Sequence, residues 1–158
     1  METDSMAHIP VNHPLRPIYR LVGFASGAYL VVYGILGLIG TASEGITGHP
    51  VDRVLGQSTN LLGAIVSLAA GGLVLLGTAV GRNVDVEVDK FVGWGLLVVG
   101  SYSLATIRTD ANFFGHSIST VIVIYLVGTL LVAVSLYSKV AAPGKAGAPR
   151  QVREGRAA

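Results

Sequence analysis

The chain has 158 residues, of which 51% are hydrophobic and 13% charged, with a formal net charge of +2. Soluble domains carry about 25% charged residues, so the composition argues against a water-soluble enzyme and for a polytopic membrane protein. Cysteine is absent, which excludes a disulfide-stapled scaffold, a Cys-ligated zinc or iron–sulfur site and a Cys nucleophile.

Residues 1–16 hold Pro10 and Pro14, with Pro17 next to them, and His8 and His13 lie among these prolines. This pattern reads as an extended arm, with Pro17 opening the first helix. Four stretches free of Asp, Glu, Lys and Arg follow: Leu21 to Ser43, Val54 to Val80, Phe91 to Ile107, and Ala111 to Ser138. About 20 apolar residues are needed to cross roughly 30 Å of hydrocarbon. The third stretch is the shortest, but Lys90 and Arg108 bracket it and extend its reach by snorkelling. The prediction is an all-α bundle of four transmembrane helices with spans at about 18–41, 55–80, 90–108 and 112–138. They form one membrane domain over residues 17–140. The first apolar block is longer than the core of a signal peptide and reads as a retained helix.

Every Lys and Arg except Arg53 and Arg108 falls in the arm, the loop between the second and third spans, or the C-terminal tail. The positive-inside rule then places both termini in the cytoplasm, with the chain in the plasma membrane as a multi-pass protein. The tail, residues 141–158, is Gly-, Pro- and cation-rich and reads as flexible. Its charge is a topology signal, and no nucleic-acid role is expected.

The loop after the first span has turn signals, and Pro50 to Leu55 reads as a short interfacial turn of helix. The loop GRNVDVEVDK (81–90) alternates apolar and acidic residues, which predicts a short extended, solvated segment. The connection RTDAN (108–112) is short, so the last two spans are antiparallel neighbours. A weak repeat pairs Asn60, Gly63 and Ser67 with Asn112, Gly115 and Ser119 at an offset of 52. Small residues recur at helical spacing at Gly23 and Gly27, at Gly63, Ser67 and Gly71, and at Gly77. These stripes are candidates for close helix packing, within the bundle or against another subunit.

The span interiors show hydroxyls but no acid or base, so no proton relay is expected. Polar residues gather instead at the non-cytoplasmic end: His49, Asp52, Arg53, Gln57, Asn60, Arg108, Asp110, Asn112 and His116. This cluster is the candidate interaction site. Asp110 is the expected N-cap of the fourth span and Asn60 or Ser58 that of the second. Arg108 and Asp110 are placed to form an interfacial ion pair. His116, read as one turn into the fourth span, is open to three roles: a ligand, a proton acceptor or a hydrogen-bonded residue at the helix start. No phosphate loop, nucleophile elbow, zincin motif or EF-hand loop is present. No catalytic residue, metal site or cofactor is assigned, and the chain is not expected to be an enzyme.

Four segments carry a resemblance. HPLRPIYR (13–20), LGQSTNLLG (55–63), GRNVD (81–85) and RTDANFFGHS (108–117) resemble small four-helix membrane proteins of actinobacteria, over residues 13–140. Some such proteins are accessory subunits of the haem-copper cytochrome c oxidase in the cytochrome bcc–oxidase supercomplex. The resemblance implies a non-redox accessory subunit whose partners are other integral membrane subunits and lipids. The alternative is a transporter or channel built as a homo-oligomer, with the polar cluster as its mouth. An enzyme acting on lipid or quinone through His116 and Asp110 is a third reading.

Overall fold

A computed structural model describes residues 11–43, 45–47 and 53–141. It is all-α, with four helices: α1 Arg16–Thr41, α2 Leu61–Val80, α3 Val84–Thr106 and α4 Ile118–Tyr137. Helices α1, α2 and α4 are each long and apolar enough to cross a membrane. His49 and Asp52, with residues 1–10 and the tail beyond Ala141, lie outside the described residues.

The helices form two tight antiparallel hairpins, α1–α2 and α3–α4, that meet along the less extensive α2–α3 and α1–α4 contacts. The core at that meeting is aliphatic: Leu30, Val74, Val92, Leu96, Ile124, Val127 and Leu131. Close approach within each hairpin rests on glycine. A Cβ at Gly34 would sit 2.6 Å from the Leu68 backbone nitrogen, and one at Gly93 would sit 2.9 Å from the Gly128 carbonyl oxygen. Dispersion and packing hold such contacts where lipid offers no hydrophobic drive. The outward faces carry Leu21, Ile39, Leu76, Phe91, Val98 and Ile122, all exposed, as lipid-facing or partner-facing helices require.

The expected stripes fall at helix contacts. Gly27 faces Val74, Gly71 faces the Gly27 carbonyl, Gly77 faces Val88, Gly23 faces Asp89, and Gly63 faces Thr59 and His116. Ser67 lines a small central cavity.

Helix starts differ from the expected spans. Helix α2 begins at Leu61, not near 55, because Leu55 and Gly56 both have positive φ. They form a two-residue turn in which Val54 and Gln57 exchange backbone hydrogen bonds of 2.8 and 2.9 Å. Positive φ at both central positions is the type I′ arrangement. Leu55 is therefore in a tight turn and not in an interfacial helix. Helix α4 begins at Ile118, not 112, and Ile107–Ser117 is a longer irregular connection. Helix α3 begins at Val84, so the predicted extended segment is helical. Gly81, Arg82 and Asn83, all at positive φ, reverse the chain and launch it.

The repeat register also fails. The α2 N-cap is Asn60 and the α4 N-cap is Ser117, whereas an offset of 52 pairs Asn60 with Asn112. Equivalent helix starts therefore do not share the matched residues.

Candidate functional site

Polar side chains gather at both ends of the bundle, with the aliphatic core between them. The end that carries the α1–α2 and α3–α4 connections holds the described part of the predicted cluster. Asn60 caps α2, its Oδ1 accepting from the Gly63 N–H at 3.0 Å. Its Nδ2 also donates to the Phe113 carbonyl at 2.7 Å, so one side chain closes a helix and ties the two hairpins. Thr120 does the same from the other side: its hydroxyl accepts from Ser58 N–H at 3.0 Å and donates to the Ser58 carbonyl at 2.7 Å. Gln57 is buried and its amide bonds the Tyr29 hydroxyl on α1.

Asn112 is a turn-building residue. Its side chain brackets the backbone of His116, donating to the carbonyl at 2.9 Å and accepting from the N–H at 3.2 Å. This clamp drives the His116 ring inward, where it is 4% exposed. The ring stacks on Phe114 at 5.3 Å, and its Nδ1 lies 2.8 Å from the Ser103 hydroxyl on α3. His116 thus sits before the Ser117 cap in the connection, not one turn into the helix. Burial pushes its imidazole down from the usual value of 6.5 to about 4, because the charged form loses its hydration.

Arg53 and Arg108 border an open recess of about 550 Å³ with Ser58, His116, Ser117 and Ser119. Asp110 is exposed and is not the cap. Ser117 caps α4 with a reciprocal bond to Thr120. Among the described residues Arg108 and Asp110 form no ion pair; the ion pairs there are Arg16–Asp85, Arg20–Asp85 and Lys90–Glu87.

The other end holds a charge centre in the segment expected to be solvated. Asp85 is 1% exposed and Asp89 2%. In a helix they are four residues apart and share a face. Asp85 Oδ1 accepts from Val86 N–H at 3.0 Å, and its Oδ2 lies 3.4 Å from Arg16 Nη2 and 3.2 Å from Arg20 Nε. Two cations and the positive end of α3 therefore compensate this carboxylate. Asp89 packs against Gly23, and its Oδ1 has no hydrogen-bond partner among the described residues. The expectation of a solvated acidic loop is overturned here: both carboxylates are buried, in the first two turns of α3. The available signal was Gly-Arg-Asn followed by acids at the second and fourth helical positions, a helix-start pattern.

The same end brings together the described chain on either side of the bundle, from Asn12 to Ala141. Asn12 donates to Ala141 O at 2.9 Å, Asn83 donates to Val140 O at 2.9 Å, and Arg16 Nε donates to Ser138 O at 2.8 Å. Tyr19 stacks on Tyr137 at 5.4 Å, with His13 edge-on to both. The arm, the α2–α3 turn and the exit from α4 are one bonded unit. Among the described residues no group of three His, Asp or Glu side chains is placed to hold a metal ion.

Comparison of the chain with protein-family models, curated proteins and solved structures finds no match.

Proposed function

We propose that the chain is a non-catalytic structural subunit of a larger complex in the plasma membrane, with all four helices crossing the bilayer and both termini cytoplasmic. The observation that carries this reading is the separation of the two polar ends. The aliphatic seam of Leu30, Val74, Val92, Leu96, Ile124, Val127 and Leu131 lies between them. A transport route needs polar lining or water across that depth. Most of the polar groups at each end are used to join helices: Asn60, Thr120 and Gln57 at one, Arg16, Asn83 and Asp85 at the other.

Helix α3 is the fourth proposed span. Its acids and Lys90 occupy the first two turns, and Phe91 to Thr106 is uncharged. Its uncharged stretch from Phe91 to Thr106 rises about 24 Å, short of the roughly 30 Å of hydrocarbon, and Lys90 and Arg108 on either side extend its reach by snorkelling. Phe91, Trp94 and Val98 are exposed along one side of it, with Gly95 open beside them, a surface suited to a neighbouring transmembrane helix. The respiratory cytochrome c oxidase supercomplex is the candidate host, on the resemblance of residues 13–140.

Isolation of the native protein in mild detergent, with mass spectrometry and a visible spectrum, tests this. The reading predicts co-isolation with haem-bearing membrane subunits, while the recombinant chain alone is colourless. Recovery of the native chain only as a monomer or homo-oligomer would contradict it and favour the homo-oligomeric transporter.

A further inference from the structure

Between the aliphatic core and the polar end of the bundle that holds Asn60 and His116, a cavity of about 20 Å³ lies where the two hairpins meet. Its walls include Tyr29 and Tyr33 of α1, Gly63 and Ser67 of α2, and Gln57 and His116 from the connections, with aliphatic side chains of α3 and α4 completing it. Most of this wall is aliphatic, but one part is polar, and that part has unspent hydrogen-bonding capacity. His116 Nε2 is buried without a partner among the described residues. It points toward α2: a Cβ on Gly63 would lie 3.1 Å from it. Ser103 already occupies the other ring nitrogen, so Nε2 must find its partner elsewhere.

The neighbouring groups are also incompletely used. The Gln57 amide and the Tyr29 hydroxyl share one hydrogen bond. Whichever way the amide is turned, its other heteroatom remains over. The Tyr33 hydroxyl on the same wall donates to Ser58 O at 3.3 Å. A buried imidazole nitrogen left unbonded is destabilising, and buried polar groups are paired in the great majority of proteins.

We propose that this cavity is a binding site for one water molecule, held by His116 Nε2 and by the hydroxyl and amide groups on the same wall, and that this water bridges the two hairpins. Size fixes the occupant. A water needs roughly 10–15 Å³ of such space and two to four polar partners; 20 Å³ admits one and no larger ligand. Charge fixes it further, since no acidic side chain lines the cavity to hold a cation and no cationic one to hold an anion. The molecule must both donate and accept, because the imidazole takes one role according to its tautomer while the Gln57 amide and the Tyr29 hydroxyl supply the other. The water spans α1, α2 and the His116 connection at the level where the hairpins otherwise meet through aliphatic contacts.

The test uses the full chain in lipid bilayers, labelled with 15N-histidine. Solid-state NMR in protonated buffer reads magnetisation transfer from bound water to the His116 ring. The wild type is expected to show a water-to-Nε2 cross-peak together with a hydrogen-bonded Nε2 shift, with the half-buried His13 ring, packed on Tyr19 and Tyr137, as the comparison. In Ser67→Val and Gln57→Leu, which remove polar wall, the cross-peak intensity falls at least several-fold while the Nδ1 signal bonded to Ser103 stays in place. A free Nε2 shift with no water transfer in the wild type would overturn the proposal. So would an Nε2 bonded to a protein group, or resolved density for a lipid chain or larger ligand in the cavity. If either variant fails to fold, the wild-type cross-peak alone decides.

Discussion

The buried Asp85 carboxylate makes a prediction whose sign depends on its partners. In the wild type it is met by Val86 N–H, Arg16 and Arg20. Removing one partner of a buried ion pair costs about 3–5 kcal/mol, because the remaining charge is stranded. Here the cost is divided and screened: the Arg16 and Arg20 side chains are 22% and 36% exposed, and exposed pairs contribute little. Arg16→Met or Arg20→Met alone is expected to cost about 1 kcal/mol. The double substitution leaves Asp85 with one backbone donor and should cost about 3 kcal/mol. Asp85→Asn in the wild type keeps the Val86 bond but loses both charge contacts, at about 1–2 kcal/mol. In the double-Met background the same change removes a stranded charge and is expected to stabilise the protein. Equilibrium unfolding in mixed micelles measures all of these. If Asp85→Asn destabilised both backgrounds equally, Asp85 would be hydrated and not paired, and the account of this end of the bundle would fail.

Further consequences follow from other positions. The His116 imidazole takes up a proton less readily folded than unfolded, so the stability it contributes is complete above about pH 6.5 and lost as pH falls toward 4; the loss is about 3 kcal/mol. Over that window His116→Gln should flatten the stability profile relative to wild type, and parallel profiles would refute the burial argument. Gly34→Val drives a side chain into the Leu68 backbone and is expected to separate α1 from α2, whereas Gly72→Ala meets nothing within 4 Å and should be neutral or stabilising by up to about 1 kcal/mol; thermal denaturation in detergent compares the two. The chain has no cysteine, so single reporters are clean. Thr109→Cys should react with an impermeant maleimide on intact cells and Arg82→Cys only after lysis. Equal labelling would contradict the proposed crossing and orientation.

The apolar blocks were legible because their period is that of the bilayer and needs no tertiary knowledge; α1, α2 and α4 follow from them. Asn60 was legible as a cap because an amide directly before an apolar run has one favourable use. The Val84 to Asp89 segment was misread because alternation and helical spacing coincide in it. Asp85 and Asp89 are two steps apart in a strand pattern and also four apart on a helix face. Only the arginines of α1, far off in sequence, compensate the buried Asp85. His116 was misplaced because Asn112 looks like a helix start. Its side chain instead turns back on the chain, and Ser117 takes the cap. Long-range partners decided both cases, and local pattern does not encode them.

The most direct test of the central claim is flux through the purified chain reconstituted in liposomes under a pH gradient and a membrane potential. The seam of Leu30, Val74, Leu96 and Leu131 predicts proton and cation leakage equal to that of protein-free vesicles. Protein-dependent flux that is abolished by Asp89→Asn would show a conducting path through that seam and contradict a purely supporting role.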